Sequence, residues 1–440
     1  MKILFILVGR SDIFIEEESK KSFIYMFLIQ NAKYFERPLT IPILAALTPK
    51  EHVVKFTEAD LGKIDYDGDY DIVAISTVTQ CAYTAYAIAD EFRKRGVFVA
   101  MGGYHPSALP EEAKQHADAV FIGESEETWP QFLKDFESGN VKPFYRLIKP
   151  VDPSLIPHPR LDIFEGKSGV GAQATRGCPY GCEFCAITNM QFGNIFRKRP
   201  VNDVIDDIKV IPNRSFFFSD NSLTINPTYT KQLFKEMKGL NKRFYAYGNI
   251  DTLGKDEELL KVASEAGCFG WFIGFESISQ DSLNNIGKKT NRVNEYFAHI
   301  KKLHDYGMVV IGSFMFGFDH DTIDIFDATD EFIRSSEVDL PYSTPVIPYP
   351  GTPLFDRLDK EGRILTKDWS KYDIGHIVFK PKNMTPEELL ENIKDIRSRW
   401  YSRSSNYMRS LNSLKLGFYP FLFVSIRNMV LRFQGYHNLS

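Results

Sequence analysis

The chain has 440 residues, 43% of them hydrophobic and 25% charged, which is the composition of a soluble globular protein long enough for two or three cored domains. A net charge of −4 and a pI near 6.2 argue against nucleic acid as the default partner, because phosphate contacts need a basic surface. Five cysteines fit a reducing cytosol rather than a secreted disulfide framework.

The apolar run Ile3–Val8 is short and is followed by Gly9-Arg10, so it reads as a buried first strand and not as a signal sequence. Further strands are expected at Val53–Thr57, Ile72–Ser76, Val97–Met101 and Ala119–Ile122, with a helix over about Ala82–Arg95. Strands alternating with helices specify a parallel, doubly wound sheet, and such sheets bind ligands beyond the carboxyl ends of their strands. The residues there are small or polar: Ser76-Thr77, Gly102-Gly103 and Gly123-Glu124. One such turn is ordinary; three on one edge point to a site. Between the first two strands lies the aromatic-rich segment Phe14–Pro49, with the acidic patch Glu16-Glu17-Glu18. Its end, Arg37–Leu47, reads as a helix start expected to cover this edge or to meet the second half of the chain.

Five prolines, from Pro143 to Pro159, mark residues 141–167 as a linker, in which His158 reads as a packing or surface residue. A second α/β run follows over 168–365. Its strands are expected at Gln173–Thr175, Ser215–Ser219, Phe244–Asn249, Phe269–Phe275, Val309–Phe316 and Ser343–Ile347. Helices are expected at about Asp256–Ala266 and Val293–Tyr306. About six units of this size suit a partial (β/α)6 barrel, whose active site lies at the strand carboxyl ends. Asp220-Asn221, Glu276-Ser277 and Gly317 fall at such ends, although Asp220 and Asn221 also suit a helix cap and Gly317 a plain turn. Residues 366–440 form a helical tail, with one helix from Pro386 to about Met408 and an apolar stretch over Leu411–Phe433. Lys415, Arg427 and Arg432 lie among its bulky apolar residues, which leaves open a helix packed on the barrel or one lying on a membrane surface.

The densest chemical signal is Arg176-Gly-Cys-Pro-Tyr-Gly-Cys-Glu-Phe-Cys185. Cys178, Cys182 and Cys185 stand at C-x3-C-x2-C spacing, while Cys81 and Cys268 are isolated and read as core residues. A structural zinc site wants a fourth ligand and usually a second C-x2-C half. A disulfide would leave an odd thiol. Three thiolates on one loop instead suit three irons of a cubane cluster, with the fourth iron open.

This spacing, set after the first strand of the second α/β run, resembles the radical S-adenosylmethionine (radical SAM) superfamily. The order of the whole chain, and the stretch from Gly102-Gly103-Tyr104-His105 to Glu112, resemble the branch with a cobalamin-binding domain ahead of the barrel. Trp369–His376 and the following Phe379–Met384 resemble hopanoid-methylase-like members of that branch. The resemblance implies a cobalamin domain over 1–140 and a 4Fe–4S cluster on Cys178, Cys182 and Cys185. Its open iron takes S-adenosylmethionine (SAM), which is cleaved to a 5′-deoxyadenosyl radical. Phe184 then lies near the adenine, Ser219-Asp220-Asn221 by the methionyl amino group, and Glu276, with Ser277, by SAM polar groups. Cobalamin contacts fall on Ser76, Thr77, Gly102, Gly103, Gly123 and Glu124. The first loop, Gly9–Ile15, has no histidine, so the lower cobalt face is expected to lack a histidine ligand.

The resulting expectation is a cytoplasmic methyltransferase acting on an unactivated carbon of a lipid, isoprenoid or other small molecule. A flavodoxin or ferredoxin would supply electrons, and the tail would supply any membrane contact. Cyclisation, carbon–carbon coupling or rearrangement without methyl transfer is the main alternative. RNA modification ranks low, since the first domain has only Cys81 and the protein is acidic. A non-catalytic sensor ranks lower still, given the complete cysteine triad.

Overall fold

The computed structural model describes residues 1–9, 37–59, 64–164 and 170–433. The loop after Val8 and the first part of the Phe14–Pro49 segment lie outside the described residues. Two six-stranded parallel sheets organise the chain. The first comprises β1 (Lys2–Leu7), β2 (Val53–Glu58), β3 (Ile72–Thr77), β4 (Phe98–Gly103), β5 (Ala119–Ile122) and β6 (Phe144–Arg146), in the order β2-β1-β3-β4-β5-β6. Its central strands are apolar on both faces because helices cover both, as a parallel sheet requires. Ile3 and Phe5 pack against Ile41, Ala45 and Trp129, while Leu4 and Ile6 pack on the side of Ala85, Ala89 and Phe92. The segment read as a linker supplies β6, where Tyr145 stacks on Phe121 at 5.2 Å and donates to Asp135 at 2.9 Å.

The second sheet has β7 (Gly171–Ala172), β10 (Ser215–Phe218), β11 (Arg243–Gly248), β12 (Cys268–Glu276), β13 (Val309–Phe316) and β14 (Leu340–Pro345). Their order is β14-β13-β12-β11-β10-β7, and every pairing is parallel. This is an open, partial barrel. The strand expected at Gln173–Thr175 is divided: β7 ends at Ala172, and β8 (Thr175–Arg176) leaves the sheet to pair antiparallel with β9 (Arg197–Lys198). The cause is Asp220, whose carboxylate captures the N–H groups of Ala174 and Thr175 and draws the chain off the sheet edge.

The helix expected from Pro386 to Met408 stops at Trp400, and a second runs over Arg403–Ser413. Trp400 and Tyr401 are buried, Tyr401 donates to the Pro341 carbonyl, and Ser402 caps the new helix. The last helix, Phe418–Phe433, packs on the barrel through Phe423, whose ring lies 4.9 Å from that of Phe269. Phe418 stays 76% exposed. Among the described residues, no helix is long and apolar enough to cross a membrane.

The segment after β14 turns back to the first unit. Phe355, Trp369, Tyr372 and Val378 join the apolar cluster of the first sheet, and Trp369 Nε1 donates to Glu112 at 3.1 Å. At the carboxyl end of β4, Gly103 has φ +106°, and a Cβ there would lie 2.3 Å from the Thr77 carbonyl oxygen. Gly139, with φ +71°, has nothing within 4 Å. Gly103→Ala therefore lowers stability by more than about 1 kcal/mol, and by more than Gly139→Ala, in urea unfolding. Equal effects would contradict the close approach of β3 and β4.

Candidate active site

The cysteine loop joins β8 to β9 and is locked by backbone contacts that tolerate no side chain. Gly177 has φ +79°, and a Cβ there would sit 2.1 Å from the Ile195 carbonyl oxygen. Cys178 N–H donates to Gly193 O at 2.8 Å. Thr188 Oγ1 donates to Cys178 O at 2.6 Å, and Asn189 Nδ2 donates to Cys182 O and Cys185 O at 3.1 and 2.8 Å. With the carbonyls tied down on this side by Thr188 and Asn189, the loop's shape is braced independently of its thiols. All three thiols are free; Cys182 is buried, and Cys178 and Cys185 are half-buried. Burial pushes the Cys178 thiol up and that of Cys182 to about 11. Metal ligation therefore has to displace protons, which the charge of bound iron does. Three unpaired thiols on one braced loop fit an iron–sulfur cluster.

Lys288 offsets the cost of negative charge there. Its turn is docked on the loop: Glu183 N–H donates to Ile286 O at 3.2 Å, and a Cβ on Gly287 would lie 3.6 Å from Gly181 O. Lys288 Nζ donates to Glu276 Oε1 at 3.0 Å, and despite burial its ammonium is held in the charged form by Glu276. Glu183 also pairs with Arg357 at 2.7 Å, tying the loop to the helix Pro353–Lys360.

The residues expected to meet SAM divide into two groups. Ser219 and Asn221 line a cavity beside the loop. Asp220, between them, is buried and faces away, accepting from Ala174 N at 3.1 Å and from Thr175 N and Oγ1. It holds the loop's entry strand, and burial pushes its carboxyl up to about 6. Neither Asp220 nor Asn221 caps the next helix; Asn226 does. Glu276 is engaged by Lys288. Ser277 Oγ accepts from Ser279 N at 3.0 Å in a local turn. Phe184 is half-buried, its ring 6.4 Å from that of Phe318. Gly317, with φ +102°, is a turn whose N–H goes to Asp321.

The same cavity, about 430 Å³, reaches the carboxyl edge of the first sheet. Ser76, Gly102, Gly103, Gly123 and Glu124 line it, as do Arg176 and Gly177 from the cysteine loop. Ser107 joins two strand ends by donating to Gly103 O at 2.7 Å and accepting from Gly123 N at 2.9 Å. Thr77 is buried behind Gly103 and is not part of the lining. Apolar side chains from the helix Thr40–Leu47 close one wall, as expected of that segment. Glycine strand ends beside an apolar wall fit a large flat cofactor, because backbone can approach it closely. Gln191 adds a buried Oε1 with no hydrogen-bond partner, 3.6 Å from where a Gly123 Cβ would stand, which suits an amide donor.

Glu124 proves to be a strap. It takes a bidentate pair from Arg197 at 2.6 and 2.7 Å, and Arg176 approaches it at 3.7 Å. Arg176 also pairs with Glu126 at 2.5 Å. Burial raises the Glu126 carboxyl, but Arg176 more than offsets this and holds it below its usual range. Arg176, Arg197, Glu126, Gln191 and Lys288 are absent from the sequence expectations. Only Arg176, two residues before Cys178, carried a positional hint. Elsewhere, Asp251, Glu295 and His299 bring ligand atoms within 4.8 Å of one another, but Lys255 already bridges the two carboxylates at 2.5 and 3.1 Å.

Residues 173–333 match the radical SAM superfamily, 27–133 the B12 binding domain, and 352–420 a domain of unknown function (DUF4070). The chain is 33% identical over 384 residues to bacteriochlorophyllide d C-12(1)-methyltransferase of Chlorobaculum tepidum, covering 84% of this chain and 83% of that protein. The chain belongs to the cobalamin-binding radical SAM methyltransferase family. Its cofactors are a 4Fe–4S cluster, SAM and cobalamin. Hopanoid C-2 methylase of Rhodopseudomonas palustris is 25% identical, with 78% and 68% covered. Anaerobic magnesium-protoporphyrin IX monomethyl ester cyclase of Cereibacter sphaeroides is 26% identical, with 76% and 60% covered. The fold is shared with the radical SAM methyltransferase TsrM from Kitasatospora setae, solved with cobalamin and a 4Fe–4S cluster bound: TM-score 0.69, 13% identity, 98% of each chain.

Glu126→Gln leaves Arg176 with only the longer approach of Glu124 at 3.7 Å as a charged partner and lowers stability by about 2 kcal/mol in urea unfolding. Lys209→Met, which breaks the exposed pair with Asp206, changes it by less than about 1 kcal/mol. Indistinguishable losses would show that the strap carries no special weight.

Proposed function

We propose that the chain transfers a methyl group to an unactivated carbon on a large, mainly apolar ring system. One observation carries this reading: a single cavity is lined both by the strand ends of the first sheet and by the cysteine loop. When bound, the cluster and SAM supply a carbon-centred radical, and cobalamin supplies the methyl group. In this reading, residues 1–140 hold cobalamin, 168–365 hold the cluster and SAM, 141–167 link them and 366–440 are the C-terminal helical region.

Cys178, Cys182 and Cys185 are the iron ligands. Ser219, Asn221 and Phe184 contact SAM. Asp220 acts indirectly, by fixing the strand that leads into the loop, and Glu276 acts through Lys288. Ser76, Gly102, Gly103 and Gly123 admit the corrin, with Gln191 as an acceptor for one of its amides. Leu39, Ile43 and Trp129 exclude water from that side of the cavity, which protects reactive species from quenching. Glu124 and Glu126 keep the two sites facing each other through Arg197 and Arg176.

The ring-system substrate rests on the tetrapyrrole and hopanoid named for the relatives. The chemistry needs a low-potential one-electron donor such as a flavodoxin or ferredoxin. Five free cysteines suit a reducing cytoplasm. The exposed Phe418 and Leu422 offer a small apolar contact to a membrane surface.

The cyclase relative favours a second reading, radical chemistry without methyl transfer. Products separate the two. Reconstituted enzyme, reductant, SAM labelled at its S-methyl group and a chlorophyllide or triterpene probe yield S-adenosylhomocysteine, 5′-deoxyadenosine and labelled product under the first reading. Turnover giving 5′-deoxyadenosine and an unlabelled product supports the second and refutes the first.

A further inference from the structure

The pair Lys288–Glu276 is built with more care than a surface salt bridge needs. Glu276 has φ +62°, the left-handed region that a non-glycine residue rarely adopts, at a register shift between β12 and β13. The pair lies across Gly274, where a Cβ would be 2.2 Å from Glu276 Oε1 and 3.3 Å from Lys288 Nζ. Asn291 Nδ2 donates to Gly274 O at 2.9 Å and to Phe275 O at 3.1 Å, so the irregular strand end is braced. Both charged side chains are largely withdrawn from water, 16% and 10% exposed. The Ile286–Lys288 turn, in its turn, is bonded directly to the cysteine loop at Glu183. A fixed cation, paired to its anion, thus stands on a turn bonded to the cysteine loop at low solvent exposure, where charge acts more strongly than in water.

We propose that Lys288 is a positioning residue for the cluster, held by Glu276 so that its charge helps set the potential at which the cluster accepts an electron. Reduction adds one negative charge beside the ammonium, which stabilises the reduced state. Glu276 limits this effect and fixes the place of the ammonium. Loss of the cation makes the cluster harder to reduce, and loss of the anion makes it easier. A purely structural ion pair has no such opposition of sign.

The proposal rests on Cys178, Cys182 and Cys185 being the iron ligands. The test is an anaerobic redox titration of reconstituted protein without SAM, followed by electron paramagnetic resonance, with iron measured for every variant. Lys288→Met is expected to lower the reduced-to-oxidised ratio at fixed potential by about tenfold, a shift of about 59 mV toward more negative values for one electron. Glu276→Gln is expected to move it the other way, and Lys288→Arg to stay near the parent. Where Lys288→Met does not load iron, the remaining two variants decide. Loaded variants whose potentials do not move, or move in one direction together, overturn the proposal, even where SAM binding weakens. Absence of a cluster in the parent protein would instead overturn the ligand assignment.

Discussion

The structure depends on one ionic contact between its two halves, the pairing of Arg176 and Arg197 with Glu124 and Glu126. Arg176 stands two residues before Cys178 and Arg197 begins the strand that closes the loop, while both acids follow β5. The contact therefore joins the carboxyl edge of one parallel sheet to the cysteine loop of the other. Parallel sheets gather ligands at that edge, so holding the two edges together makes one cavity out of two half-sites. Charges this buried are expensive, and their arrangement is tolerable only because each is paired. The apolar return of Trp369 and Tyr372 onto the first sheet supplies the non-polar side of the same clamp.

The cysteine loop shows a second economy. Its shape is set by Gly177, Thr188 and Asn189 before any metal arrives, so the three thiols are presented together. Burial keeps Cys178 and Cys182 protonated when bare. A buried lysine beside them favours the anionic state once iron is present, with Glu276 as its counterweight. The small cost of presenting thiols and the large cost of burying charge are thus met by different residues.

Much of this was legible in the sequence. Period and punctuation gave the central strands of both sheets to within a residue or two, because buried parallel strands are continuous apolar runs ending in small residues; at the barrel's edges β14 begins three residues before the expected Ser343 and β7 ends before the expected Gln173. The cysteine spacing gave the cofactor. What escaped were features decided by distant partners. β6 hides in a proline-rich stretch, since three residues of strand carry no period of their own. Asp220 looked like a cap or a ligand, yet its carboxylate is taken by backbone donors 45 and 46 residues away in sequence. Glu124 looked like a cofactor contact, and only folding reveals Arg197 opposite it. Lys288 has no sequence signal beyond a preceding glycine. The tail helix breaks after Trp400 because burial of Trp400 and Tyr401 outweighs helix propensity.

The central claim is that the two cofactors face each other across one cavity. It is tested most directly by spin coupling between cob(II)alamin and the reduced cluster in the doubly loaded protein. The account predicts an electron paramagnetic resonance spectrum broadened or split relative to the sum of the singly loaded forms. A spectrum that is the simple sum of two independent signals would contradict it.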